Sequence, residues 1–248
     1  MKSDRVDVLA IFAHPDDEVF RCGATLSLLA DKGARVKVVS LSSGQAGSCG
    51  SPPLCSREDL GEFRRKELVC SCRVLGLAEP LVLDFQDGHF DGADEKEAIL
   101  VINQLLEKFE PQIIITWPEH GISGHLDHCM VSQWVSSAVE KKSSSGGDSL
   151  AAIYHVVVPR SVAHELGMAH LHTQPDDRIS VSIPVKEKWR KKMDAIHCHK
   201  TQAGESPILQ ASEEKKKLFL GQEHFLRVTS NKDSDLLLVL NQDQQTGD

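Results

Sequence analysis

Two short segments rich in histidine and aspartate carry the residue types that a metal centre needs. The first, His14 to Glu18 (HPDDE), follows an apolar run at residues 6–12 that is typical of a buried strand. The second, His125 to His128 (HLDH), follows another apolar run at residues 113–117. Catalytic zinc takes three protein ligands from His, Asp, Glu or Cys and leaves a position for water. Ends of neighbouring strands lie only ~5 Å apart, so we expect the two segments to converge on one metal ion.

Helix capping is the competing explanation for both segments. Aspartates are common at helix N-termini, where they accept backbone N–H groups and interact favourably with the helix dipole. Capping does not require histidines, however, and each segment contains at least one. The pair of segments therefore favours a metal site.

Apolar runs alternate with amphipathic stretches along the chain. This alternation predicts an α/β fold, a Rossmann-like and mostly parallel sheet with helices on both faces of a single domain over residues 1–228. Residues 42–56 read as a long irregular loop, and residues 229–248 as a polar tail that is weakly ordered or adds an edge strand. The predicted strands are 6–12, 36–41, 81–85, 113–117, 151–158 and 179–185, and the predicted helices are 19–30, 57–76, 95–109, 129–141, 184–199 and 213–220.

Composition excludes several classes of protein. A net charge of -8 over 248 residues argues against non-specific binding of nucleic acid, which needs a basic surface. No run of about 18 apolar residues is present, so we expect no membrane span. The seven cysteines lack the CxxC spacing of a structural zinc site. We expect free thiols and a cytoplasmic protein.

Residues 13–18 (AHPDDE) match a motif of the PIG-L (LmbE-like) family of zinc-dependent N-deacetylases, and the chain is identified by resemblance as a member. Residues 124–128 resemble the family's GHPDH motif, with Leu126 in place of proline. Residues 64–67 (RRKE) look like its RRxE helix. Residues 199–202 (HKTQ) resemble its HxSQ segment, with Thr201 in place of serine.

The resemblance implies a role for each matching residue. Asp16 would be the general base, and His125 would face the substrate carbonyl. Asp127 would tune or orient that histidine, and Arg64 would contact the sugar. The metal ligands would be His14, Asp17 and His128.

The chemistry agrees with these roles. Zinc lowers the pKa of its bound water to about 7 and polarises a carbonyl, which addresses both the weak nucleophile and the poor electrophile of amide hydrolysis. Asp16, next to a metal-binding aspartate, could then take the water's proton and deliver it to the departing amine. A protonated His125 could stabilise the oxyanion. Glu18 has no assigned step; we expect it to hold the loop through backbone amides or Arg64.

The implied reaction is removal of the N-acetyl group from an N-acetylglucosamine-containing conjugate, a small amino-sugar substrate. Two alternatives stay open, a non-catalytic metal-dependent sugar-binding module and a deacetylase of the membrane glycosyl-phosphatidylinositol precursor. A nucleotide-binding oxidoreductase is disfavoured, because the first strand-to-helix turn holds His14 and acidic residues instead of Gly-x-Gly-x-x-Gly. The oligomeric state is not indicated.

Overall fold

Seven β-strands of the described residues form one sheet. The computed structural model describes residues 4–144 and 151–229 together with Asp235, Leu237, Leu238 and Leu240. The strands are β1 (Val8–Phe12), β2 (Val36–Ser40), β3 (Leu81–Val82), β4 (Ile113–Thr116), β5 (Ala152–Val157), β6 (Val181–Pro184) and β7 (Gln222–Thr229). Their order across the sheet is β3-β2-β1-β4-β5-β7-β6. The first five strands of this order are parallel, which confirms the predicted mostly parallel α/β fold of a single domain.

Helices cover both faces of the sheet. They are α1 (Asp17–Asp31), α2 (Leu60–Leu75), α3 (Glu95–Phe109), α4 (Leu126–Ser144), α5 (Arg160–Glu165), α6 (Trp189–Ile196), α7 (Lys200–Ala203), α8 (Pro207–Gln210) and α9 (Glu213–Leu220). Helices α1, α2 and α6 pack together, and α3 packs with α4. The central strand β1 is fully buried, as both-face coverage of a parallel sheet requires.

Strand β7 departs from the sequence-based expectation, which placed no strand at residues 222–229. It lies between β5 and β6 and runs antiparallel to both. Its sequence, QEHFLRVT, mixes polar and apolar side chains in a way that does not stand out as a buried run. The predicted sixth strand is confirmed, and it takes the edge position as β6.

Three helix predictions need correction at their boundaries. Helix α2 begins at Leu60 and not at residue 57. Helix α4 begins at Leu126 and not at residue 129, so Asp127 and His128 lie in its first turn. The helix predicted over 184–199 is divided into a 3₁₀ turn at Lys186–Lys188 and α6, which ends at Ile196, before His199. The irregular loop over 42–56 is present as predicted.

The expectation of free thiols is wrong for one pair of cysteines. Cys70 on α2 and Cys198 after α6 form a disulfide, with their Cα atoms 5.7 Å apart. Packing of α2 against α6 brings the two residues together across a separation of 128 residues, which local spacing cannot reveal. The described free cysteines are Cys22, Cys49, Cys55, Cys72 and Cys129.

The predicted tail over 229–248 lies almost entirely outside the described residues. Of its apolar run, Leu237 and Leu240 are buried in the main core. Within the described part of the chain, no helix has both the length and the apolar character needed to span a membrane.

Candidate metal centre and its surroundings

Both histidine- and aspartate-rich segments lie at the point where the strand order reverses. Strands β1 and β4 are neighbours, and α1 after β1 and α4 after β4 belong to different helical layers. A crevice outside the carboxyl ends of the strands forms at such a switch point, and ligands of open α/β sheets bind there. The chain thus places the two segments side by side at the usual binding edge of the fold.

His14 is held by two carboxylates. Its Nε2 lies 3.0 Å from Oδ2 of Asp127 and 3.0 Å from Oδ1 of Asp87. Ionised carboxylates only accept hydrogen bonds, so Nε2 must carry the hydrogen. The Nδ1 atom of His14 points the other way and lies 3.3 Å from Nε2 of His128.

His128 is fixed by a carbonyl and an aromatic ring. Its Nδ1 lies 3.2 Å from the carbonyl oxygen of Gly121, to which it must donate. The indole of Trp117 stacks on the ring at 4.0 Å between centroids and an angle of 7°. In the neutral ring Nε2 therefore carries a lone pair, and it faces Nδ1 of His14.

Asp17 completes a set of three acceptors. Its Oδ2 accepts the backbone N–H groups of Ala13 and His14, and its Oδ1 lies 3.4 Å from Nε2 of His128. One donor atom from each of His14, Asp17 and His128 lies within 4.8 Å of the others, and all three residues are buried. Two ring nitrogens and a carboxylate at this spacing repel one another unless a proton or a metal cation lies between them, so the donor set fits a divalent metal that takes the place of the proton on Nδ1 of His14.

The carboxylates dominate the electrostatics of this cluster. Burial alone would lower the pKa of His14, but Asp127, Asp87 and Asp17 outweigh it and raise the pKa to about 10. Burial would raise the pKa of Asp17, but His128 and His14 hold it well below its usual range. The cluster therefore attracts a positive charge strongly, as a metal site must.

Asp16 lies beside the ligands without joining them. It is the N-cap of α1, and its side chain is 19% exposed. Its Oδ2 accepts a hydrogen bond from Nη2 of Arg64 at 3.2 Å. Burial raises the pKa of Asp16 to about 6, although Arg64 opposes the shift. A carboxylate with a pKa near neutrality can both take and return a proton.

His125 is the exposed member of the cluster, and its partner differs from the expected one. Its Nδ1 accepts the backbone N–H of Asp127 at 3.2 Å, so Nε2 carries the hydrogen of the neutral ring. Burial and the two nearby histidines lower the pKa of His125, which also favours the neutral form. The Asp127 carboxylate binds the N–H groups of Gly88 and Phe90 and Nε2 of His14, not the ring of His125.

Arg64 is turned toward protein atoms. It is 3% exposed, and it donates to the carbonyl oxygens of Gly44 and Pro15 as well as to Asp16. Glycine at residue 44 is needed for this close approach, because a Cβ there would lie 2.2 Å from Nη1 of Arg64. In this structure the guanidinium therefore fixes the turn that carries Asp16.

Asp87 is a site residue that the sequence analysis missed. It is 7% exposed, binds His14 and accepts the backbone N–H of Ala46 at 2.8 Å. Its position in an Asp-Gly pair made it look like a turn residue. The remaining signal was its place shortly after β3, at the carboxyl edge of the sheet.

The family model described as GlcNAc-PI de-N-acetylase matches residues 9–139. A 1D-myo-inositol 2-acetamido-2-deoxy-alpha-D-glucopyranoside deacetylase from Salinispora arenicola is 28% identical over 79% of this chain and 75% of its own length. A probable N-acetyl-alpha-D-glucosaminyl L-malate deacetylase 2 from Bacillus cereus is 29% identical over 79% of this chain and 83% of its own length.

Solved structures share the fold at lower identity. The N,N'-diacetylchitobiose deacetylase from Pyrococcus horikoshii superposes with a TM-score of 0.65 and 18% identity, over 89% of this chain and 83% of that one. A 4-carboxy-2-hydroxymuconate hydratase superposes equally well, with a TM-score of 0.65 and 18% identity over 95% of this chain and all of that one. The fold alone therefore does not determine the reaction. The family match over more than half of the chain, together with the AHPDDE segment at the switch point, establishes that this chain belongs to the PIG-L family.

Proposed function

We propose that this protein is a metal-dependent N-deacetylase of a small N-acetylglucosamine conjugate. The observation that carries the proposal is the convergence of three acceptor atoms, on His14, Asp17 and His128, directly beside a carboxylate with a raised pKa. A binding module needs no such carboxylate. The names of the two bacterial relatives supply the substrate class.

His14, Asp17 and His128 would hold the metal, with zinc the first choice for two nitrogens and one carboxylate oxygen. When bound, the cation would polarise the amide carbonyl and make water more acidic. Asp127 and Asp87 keep the hydrogen of His14 on Nε2, which leaves Nδ1 available as a ligand.

Asp16 would take the proton of the attacking water and return it to the amine that departs. Arg64 keeps the Asp16 carboxylate beside the cluster through one hydrogen bond. His125 would donate from Nε2 to the oxygen of the acetyl carbonyl as negative charge develops there. Because its Nδ1 already accepts an N–H, this donor is the neutral ring and not the imidazolium.

The test combines metal analysis with an amine-release assay. Protein stripped by a chelator and reloaded with Zn²⁺ should bind about one equivalent of metal. The reloaded protein should release acetate and a free amine from N-acetylglucosaminyl-inositol, N-acetylglucosaminyl-malate or N,N'-diacetylchitobiose. A vesicle arm with N-acetylglucosaminyl-phosphatidylinositol tests the membrane precursor.

Two outcomes would contradict the proposal. Binding of these sugars with no amine released from any of them would indicate a binding module. Failure of the reloaded protein to retain metal would remove the basis of the mechanism.

A further inference from the structure

The backbone of Asp16 is held in a conformation that its side chain disfavours. Its φ is 113° and its ψ is -25°, in a region that residues with a Cβ rarely occupy. Such a conformation is unfavourable and persists only where surrounding contacts impose it. The contacts that impose it also decide where the Asp16 carboxylate points.

One of these contacts comes from a buried carboxylate two residues along the chain. Oε2 of Glu18 accepts the backbone N–H of Asp16 at 3.0 Å. Glu18 is fully buried, and its Oε1 accepts the hydroxyl of Ser71 at 2.7 Å and Nε2 of His199 at 2.9 Å. Because the carboxylate is an acceptor, the ring of His199 must donate from Nε2. Three donors thus fix the orientation of one carboxylate.

The His199 ring is fixed in turn by the short segment that carries it. Thr201 donates its backbone N–H and its hydroxyl to Glu67, at 2.8 and 2.7 Å. Glu67 and Ser71 lie on α2, and both are buried. Their spacing of four residues puts them on the same helix face, so α2 anchors both His199 and Glu18.

We infer that His199 is a positioning residue for the proposed base, and that it acts by orienting Glu18, which holds the backbone of Asp16. His199 is fully buried, and its hydrogen-bonded route to Asp16 runs through Glu18. The inference rests on the proposed function for its catalytic part. Its structural part, the conformation at residue 16, does not depend on any activity.

The first test removes or replaces the donor. His199→Leu deletes the hydrogen bond to Glu18, and we expect kcat to fall about 10- to 100-fold, as small misplacements of catalytic groups do. KM should change less than threefold, and the metal content should stay that of the wild type. His199→Gln can place an amide N–H near the position of Nε2, and it should restore kcat to within threefold of the wild type. His197→Leu is the matched control, because His197 is exposed two residues away.

A second test asks whether the effect passes through Glu18. In a double-mutant cycle with Glu18→Gln, the losses from His199→Leu and from Glu18→Gln should be far from additive. Ser71→Ala removes another donor from the same carboxylate and should lower kcat in the same direction. It serves in place of His199→Leu should the leucine variant not fold.

The structural readout is the conformation of residue 16 itself. A crystal structure of His199→Leu or Ser71→Ala should show φ at Asp16 displaced from its wild-type value, and hydrogen exchange of the Asp16 amide should be faster. Unchanged kcat in His199→Leu, or additive losses in the cycle, would overturn the inference. So would a loss of activity with φ at residue 16 unchanged.

Failure of the proposed function looks different. It would appear as a wild-type protein that releases no amine from any substrate, while the φ and exchange measurements still decide the positioning role.

Discussion

The direction of each ring nitrogen, more than the identity of the residues, makes the cluster a candidate metal site. His14 and His128 each give one ring nitrogen to a protein acceptor, and their other nitrogens face each other at 3.3 Å. A histidine ligand whose second nitrogen donates to a carboxylate or carbonyl is fixed in tautomer and orientation. The same reasoning separates Asp16 from Asp17, because only Asp17 faces both rings.

The adjacent aspartates should respond differently to the same substitution. Asp16→Asn keeps the ligand set, so we expect metal content to stay normal while kcat falls about 10²- to 10⁴-fold. Asp17→Asn removes a charged ligand, so metal should be lost together with activity. Metal analysis and amine release on both proteins check this. Loss of metal from Asp16→Asn alone would mean that the roles are reversed, and Asp84→Asn, on a 90% exposed side chain, is the control.

Asp127→Asn should weaken metal binding without removing a ligand. The carboxylate accepts from Gly88, Phe90 and His14, and asparagine offers one oxygen where two now accept. We expect zinc affinity to fall about 10- to 100-fold, as for other carboxylates that orient a ligand histidine. Competition with a chromogenic chelator measures the zinc affinity. Asp91→Asn is the control, because Asp91 is exposed next to Phe90. An unchanged affinity would exclude the orienting role.

Helix α2 contributes a buried polar face to the site at the scale of an element. Arg64, Glu67 and Ser71 are spaced by three and four residues, and all three are buried. They hold the Asp16 turn, residue 201 and Glu18, respectively. The neighbouring Arg65 points elsewhere and binds Asp84 and the carbonyl of Val82. This arrangement explains why only one of two adjacent arginines reaches the site.

A buried ion pair attaches α6 to the antiparallel end of the sheet. Lys192 is fully buried and donates to Glu223 at 2.8 Å and to the carbonyl oxygen of Leu220. Glu223 also accepts the backbone N–H groups of Ala24 and Thr25 in α1. One carboxylate therefore joins β7, α6 and α1.

Lys192→Met should destabilise the fold, because it removes the cation that hydrogen-bonds the buried carboxylate of Glu223. Removing one partner of a buried pair costs about 3–5 kcal/mol of the free energy of unfolding. Lys191→Met is the matched control. The Nζ atom of Lys191 lies 3.6 Å from Oδ1 of Asp31, and its side chain is 31% exposed. Because partly exposed ion pairs contribute little, we expect the free energy of unfolding to change by less than about 1 kcal/mol. Denaturant unfolding of both variants decides, and equal effects would contradict the structural role given to Lys192.

The whole molecule should lose stability in acid, in part through a buried neutral histidine. His155 on β5 is 8% exposed, and its Nε2 has no hydrogen-bond partner among the described residues. Burial lowers its pKa to about 4. The unfolded chain protonates this histidine near pH 6.5 and the folded chain only near pH 4. Between these values the unfolded state binds more protons. The stability that comes from keeping His155 neutral is therefore complete above pH 6.5 and is lost as the pH falls toward 4.

His155→Leu should therefore flatten the pH dependence of the free energy of unfolding. Over this window the difference from the wild type should change by up to about 3 kcal/mol, since one pKa unit corresponds to about 1.4 kcal/mol. Denaturant titrations between pH 7 and pH 4 measure this difference, because that range spans the unfolded and folded pKa values of His155. His164→Leu, on an exposed histidine, should leave the slope as in the wild type. A parallel pH profile for His155→Leu would contradict the expectation.

Much of this protein was determined by local sequence. Apolar runs such as 113–117 predict buried strands wherever they lie, because they leave no face that water could solvate. The AHPDDE segment carries the residue types of the site, and its place after a strand indicates the carboxyl edge. Strand β7 was not predicted, because its mix of polar and apolar residues has no strong period. Its place in the sheet depends on β5 and β6, which lie elsewhere in the chain.

Tertiary structure decided which of these residues meet. Strands β1 and β4 are adjacent because of the strand order, and that order arises from crossovers and packing between residues about a hundred positions apart in the chain. Only that order places His14 beside His128. It also makes His14, and not His125, the histidine that the Asp127 carboxylate binds, and it adds Asp87 to the cluster. The sequence by itself determined the donors available at the sheet edge. Their hydrogen-bond partners, and hence the direction of every lone pair, were decided by the packed fold, because a hydrogen bond depends on position in space and not on spacing along the chain.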